Sequence, residues 1–153
     1  MNESVASPEA QNVAWLQRMM RGELPPPPVA RLVGMRLAAA DAEHVVMELD
    51  TDDRHANPMG TVHGGILCDL ADAAMGMCFF AGLQPGESFT TLELKINFLR
   101  PIWKARLRAE AHAVQRGRTV GLVQCDVVDA DTRLVARATS TLLVLRGEAA
   151  AGR

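Results

Sequence analysis

The sequence predicts an α+β domain in which one long apolar helix is wrapped by an antiparallel sheet. Three observations carry this reading: a nearly unbroken apolar run over 64–83, a set of alternating or Val/Leu/Thr-rich stretches on either side of it, and short turns between the last three stretches. Connections that short join only antiparallel neighbours. With 153 residues the chain is long enough for one domain, which buries roughly two-thirds of its unfolded surface.

Taken in order, Ser7-Pro8-Glu9 is a helix-start signal and Gly22 supplies the stop. Val13, Leu16, Met19 and Met20 fall on one stripe between them, so this helix packs on the outside of the body. Pro25, Pro26, Pro27 and Pro28 form a stiff extended connector. Segment 1–28 is therefore a helix with its connector, 29–146 the main domain, and 147–153 a disordered tail. In "HVVMELD", Val45, Met47 and Leu49 alternate with polar or outward positions, as in a strand with one buried face. Residues 51–62 are turn-like and lead into the long helix, which ends near Gly82. Four strands follow. Leu92, Leu94, Ile96 and Phe98 share one face of the first, and Ala105, Leu107, Ala109, Ala111 and Ala113 one face of the second. The last two occupy 119–128 and 133–145, with turns at 115–118 and 129–132.

Composition narrows the function. A net charge of −2, an aromatic content of 4% and the absence of Tyr argue against a nucleic-acid partner. Cys68, Cys78 and Cys125 are odd in number and lack C-x-x-C spacing, which fits reduced thiols filling a core in a cytoplasmic protein. The first ten residues have no signal-peptide character. The apolar run carries Asp69 and Asp72, each costing about 2.5–3.5 kcal/mol at a bilayer centre, so it reads as a core helix and not as a membrane span.

Those two acids are the informative feature. Gly65, Asp69, Asp72 and Gly76 are spaced four, three and four apart and fall on one narrow stripe of an otherwise bulky helix. An ionised carboxylate on a buried helix costs several kcal/mol unless something bonds or uses it. A structural ion pair at a subunit seam is the plain explanation. The start of the same helix favours a functional one: Gly64 and Gly65 bare the free first-turn N–H groups, where a docked carbonyl oxygen is polarised. His63 alone reads as a packed or capping residue. The four histidines show no metal-ligand spacing, and neither a phosphate loop nor a serine-nucleophile elbow is present.

Together, "NPMGTVHGGILCDLADAAMG", "TTLELKINFLRP" and the "QRGRTVG" turn resemble the hotdog-fold acyl-CoA thioesterases of the phenylacetic-acid-degradation type, over roughly residues 8 to 146. The resemblance implies a five- or six-stranded antiparallel sheet around a central helix, and two subunits joined edge to edge with shared active sites, paired further into a tetramer. It implies hydrolysis of an acyl-CoA, with an aromatic or medium-chain acyl group, and no cofactor or metal. Asp72 takes the place of the catalytic general base or nucleophile, and the Gly64 amide of the other subunit holds the thioester oxygen. Asn57 and His63 match positions that orient thioester and water, with Gly60 and Gly65 beside them. Thr91, or Thr90, stands where a hydroxyl assists the water. Asp69 matches no role and is read as structural. From 95 to 118 there are seven basic residues (Lys95, Arg100, Lys104, Arg106, Arg108, Arg116, Arg118) against Glu110. Most suit a solvated strand face, while Arg100, Arg116 and Arg118, beside turns, suit the phosphates of coenzyme A. A non-catalytic acyl-CoA-binding module and a hotdog hydratase or dehydratase are the alternatives.

Overall fold

In the computed structural model, which describes residues 7–152, the Ser-Pro-Glu signal acts as expected. Ser7 Oγ accepts from the Ala10 N–H at 3.3 Å, helix α1 runs Pro8–Met20, and Gly22 turns the chain at a φ of +74°. Residues 1–6, the start of the expected 1–28 segment, lie outside the described residues, as does Arg153 at the end of the 147–153 tail. Within that tail Gly147–Ala150 wind into one 3-10 turn.

The proline run ends in a short helix, α2 (Pro28–Val33), and strand β1 (Arg36–Ala40) follows. Both are absent from the sequence reading. Six residues are too few to show a 3.6-residue period, and "RLAAA" lacks the β-branched residues that mark a strand. The remaining elements are β2 (His44–Asp50), α3 (Gly64–Ala81), β3 (Ser88–Phe98), β4 (Arg106–Arg116), β5 (Val120–Val128) and β6 (Leu134–Leu145). They form one antiparallel sheet in the order β1-β2-β4-β5-β6-β3, so β1 and β3 are its edges.

The sheet curls around α3, which buries Leu67, Leu70, Met75, Cys78 and Phe79 against it. Each large apolar side chain so buried contributes about 1.5–3 kcal/mol. From the sheet, Val45, Met47, Leu49, Leu107, Ala109, Ala111, Val123, Cys125 and Leu142 complete the core. Small alanines on β4 let the helix axis approach closely. The stripe that carries Asp69 and Asp72 stays open.

Two details depart from simple alternation. Strand β3 has a bulge: Thr91 pairs with Leu142 and Glu93 with Thr141, which leaves Leu92 as the extra residue, 55% exposed instead of on the buried face. Phe89 and Thr91 precede the bulge on the helix side, and Leu94 and Ile96 resume that side after it. The basic face of β4 is largely neutralised. Arg106 pairs with Asp50 at 2.8 Å, Lys104 with Asp53 at 2.8 Å, and Arg108 lies near Glu48 and Glu110.

Arg116 is not left free for a phosphate. Its guanidinium donates to Phe79 O at 2.8 Å, Cys78 O at 2.6 Å and Ala42 O at 3.1 Å, closing the C-terminus of α3 and tying it to the β1–β2 turn. Gly82 makes room for it, because a Cβ there would lie 2.5 Å from the guanidinium carbon. Arg116→Ala is expected to lower stability by about 2–3 kcal/mol, read from the urea midpoint at constant slope, since three carbonyls lose a charged donor.

Candidate active site

The approach to α3 is built by hydrogen bonds within one tight turn at 57–61. Asn57 Nδ2 donates to Thr61 Oγ1 at 2.7 Å, its Oδ1 accepts from the Met59 N–H at 2.9 Å, and the Gly60 N–H donates to Asn57 O at 2.9 Å. Gly60 adopts a φ of +83°, which favours glycine. Asn57 and Gly60 thus hold the turn within this chain. His55, which sequence reasoning passed over, backs it: buried, it accepts the Asp52 N–H on Nδ1 while Nε2 lies 2.8 Å from Val33 O, and its own carbonyl receives the His63 N–H.

His63 is the N-cap of α3, its Nδ1 accepting from the Gly65 N–H at 2.9 Å and its carbonyl from the Ile66 N–H at 3.0 Å. Among the described residues' hydrogen bonds, the Gly64 N–H makes none. It is left as the donor at the positive end of the helix. The Phe98 ring lies against Gly64 so closely that a Cβ would sit 2.9 Å from its tip, so any side chain there would have to displace the ring.

Two turns farther on, Thr91 Oγ1 donates to Asp72 Oδ1 at 3.1 Å. The bulge at Leu92 decides this contact, turning Thr91 toward the helix; Thr90 pairs with Leu143, on the opposite side of the strand. Desolvation by the apolar groups packed around Asp72 raises its pKa above the usual carboxylate range. The Thr91 hydrogen bond opposes that shift, and the nearby Asp69 charge adds to it. The carboxylate is nevertheless open to solvent along the uncovered stripe. A partly desolvated carboxylate that water reaches is suited to accept a proton or to attack a carbonyl.

Asp72 and Thr91 border a cavity of about 680 Å³ between α3, β3, α1 and the proline run. Its walls are mainly apolar, with Trp15, Met77, Phe80 and Phe89 among them. Sequence reasoning did not assign this role to the first helix or the prolines; the glycine one turn after Asp72 was the available sign that something bulky approaches there, and it is the Phe89 ring. Arg100 and Arg118 do not border this cavity. Arg100 lines a separate one near Trp103 and Arg133, and exposed Arg118 gives its carbonyl to Arg146. The buried thiol of Cys78 is pushed up to about 11, as expected of a packing group. Among the described residues no group of three His, Cys, Asp or Glu side chains is gathered for a metal.

The constellation on one helix is therefore a bare amide at the N-terminus and a perturbed carboxylate beside an apolar cavity. Comparison with known proteins bears on both fold and sequence. A family model described as the thioesterase superfamily matches residues 59–136. The crystal structure of a phenylacetic acid degradation-related protein from Ralstonia eutropha JMP134 superposes with a TM-score of 0.76 at 37% identity, over 84% of this chain and 98% of that one. A mutant of the phenylacetic acid degradation protein PaaI from Thermus thermophilus superposes with a TM-score of 0.73 at 26% identity, over 78% and 100%. Acyl-coenzyme A thioesterase 13 of Mus musculus is 26% identical over 110 residues, 69% of this chain and 76% of its own length. With the helix-wrapping sheet, the bare helix start and the family match in agreement, the chain belongs to the thioesterase superfamily as a hotdog-fold thioester hydrolase.

Proposed function

We propose that the protein hydrolyses an acyl-CoA with an aromatic or medium-length acyl group, and that Asp72 is the catalytic carboxylate. The observation that carries this is the Thr91-bonded, partly desolvated Asp72 at the edge of an apolar cavity. As general base, Asp72 takes a proton from water while the water oxygen bonds to the thioester carbon. The C–S bond then breaks, and the proton leaves with the coenzyme A thiol. As nucleophile it forms a mixed anhydride that water opens, with the same products. Thr91 orients the carboxylate in either case.

The donor for the thioester oxygen comes from a second subunit. Gly64 and Asp72 are eight positions apart on one helix, about 12 Å at 1.5 Å per residue, which a single carbonyl group cannot span. Strand β3 is an edge, with Leu92 and Phe98 exposed on it, and pairing it with its symmetry mate brings the helix start of each subunit toward the Asp72 of the other. His63, already the cap of that helix, fixes the direction of the Gly64 amide. Arg100 and Arg118 are offered as contacts for the coenzyme A phosphates in the assembled oligomer.

Asp72→Asn is expected to lower kcat by about 10²–10⁴-fold on the best acyl-CoA, followed by thiol release. The same variant should melt at a higher temperature at pH 7. A carboxyl whose folded pKa is raised loses stability as pH rises through its titration range, and Asn does not ionise; the gain should vanish at a pH low enough to protonate Asp72 in both states. Equal melting temperatures at pH 7 would place Asp72 in an unstrained environment.

The Thr91 hydrogen bond holds the Asp72 pKa down, so its loss should move the acid limb of kcat/KM toward higher pH. Thr91→Val is expected to show this shift together with a roughly tenfold lower kcat, measured across pH ~4–8. An unmoved limb removes Thr91 from the site.

Subunit complementation tests the shared site. Asp72→Asn and Gly64→Val should each be inactive alone, while random mixing should restore about a quarter of the wild-type rate, because half the dimers are mixed and each holds one intact site. No recovery in mixed dimers confirmed by mass would place both groups in one chain's site.

A further inference from the structure

Resting on the thioesterase reading, we propose that α1 and the proline run are the far wall of the acyl pocket, and that the Trp15–Phe80 ring pair closes it and sets the longest acyl chain accepted. Along the open stripe of α3 the cavity is lined by Asp69, Asp72, Gly76 and Phe80. Gly76 carries no side chain there, and the Phe89 ring packs against it as part of the lining. Trp15 also lines the cavity, and the Trp15 and Phe80 rings meet edge to face, with centroids 5.5 Å apart and planes at 65°.

The wall is fixed in place and not merely adjacent. Asn12 Nδ2 donates to both Phe80 O and Leu83 O at 3.0 Å, which pins α1 to the C-terminal end of α3. Pro25, Pro26 and Pro27 line the opposite side, and prolines present no N–H that an apolar occupant would leave unpaired. The cation among the described lining residues, Arg36, is already paired with Glu48 at 2.6 Å and Asp50 at 3.0 Å. The phosphates of coenzyme A therefore gain nothing by entering, and the acyl group does.

Length follows from the helix. Asp72 to Phe80 is eight residues, about 12 Å along the axis. A zigzag of ~1.5 Å carbon–carbon bonds advances about 1.25 Å per carbon, so the channel takes roughly eight to ten carbons. A volume of about 680 Å³ lies within the usual range for a small-molecule pocket and leaves room for a ring in place of a straight chain.

The test uses the full chain and two readouts. Trp103→Phe leaves Trp15 as the one indole, since the sequence has two tryptophans. Titration with octanoate and decanoate should shift its emission to the blue and saturate, while butyrate should not. In parallel, straight-chain acyl-CoA esters from butyryl to palmitoyl are assayed with Phe80→Ala and Phe80→Trp. The Ala variant should move the optimum to longer chains by about two to four carbons; the Trp variant should raise the decanoyl-CoA KM about tenfold and move the optimum to shorter chains. Folded variants with an unchanged chain-length profile, or an indole blind to decanoate, overturn the proposal. A saturating indole shift in a protein that hydrolyses none of these esters keeps the pocket and refutes the hydrolase reading instead.

Discussion

The structure depends on the burial of α3 in the curl of the sheet. An eighteen-residue helix this apolar is stable in water only if most of its circumference is covered, and five strands, β2 to β6, supply that cover with side chains that alternate toward it. Covering it incompletely is equally consequential. The stripe through Gly65, Asp69, Asp72 and Gly76 lies where the sheet does not close, so two acids sit on the core helix without being sealed into the core. Their apparent misplacement in the sequence disappears once the axis of the helix is seen to lie at the open side of the curl.

The same arrangement underlies the proposal of a site shared between two chains. The amino end of α3 offers a bare amide, and the carboxylate lies two turns away on the same rigid rod, so neither can move toward the other. Rigidity is an advantage here: both groups are held by the backbone of a buried helix, which positions them better than a loop does. Strand β3 is an edge with exposed apolar side chains, and it is the edge on which that proposal places the second copy.

Charged residues in this fold mostly serve the scaffold. Arg116 closes a helix end, while Arg106 and Arg108 face the acids of β2 across the sheet. The outer face of β4 is thus a set of cross-strand pairs, each contributing little in water. Histidine follows the same pattern. His55 braces the turn and His63 caps the helix, both by hydrogen bonds to backbone groups.

The central helix, its bounds near Gly64 and Gly82, and the strands after it were legible from the sequence because apolar periodicity and turn residues are local signals. So were the first helix with its Ser7 cap, and the presence of acids on an apolar run with bare residues at its start, since both are visible in one dimension. Helix α2 and strand β1 were not legible: one is too short to show a period, and the other is alanine-rich and held by its neighbour β2. Only the tertiary structure decided that Thr91 and not Thr90 meets Asp72, because a single unpaired residue at Leu92 reverses which side of β3 faces the helix. It alone committed Arg116 to the carbonyls of a helix distant in sequence, and it alone set the first helix and the prolines around the cavity at Asp72. Local pattern specifies which elements form and which face each one buries; which side chains from separate elements meet depends on register and packing, and those exist only once the elements are assembled.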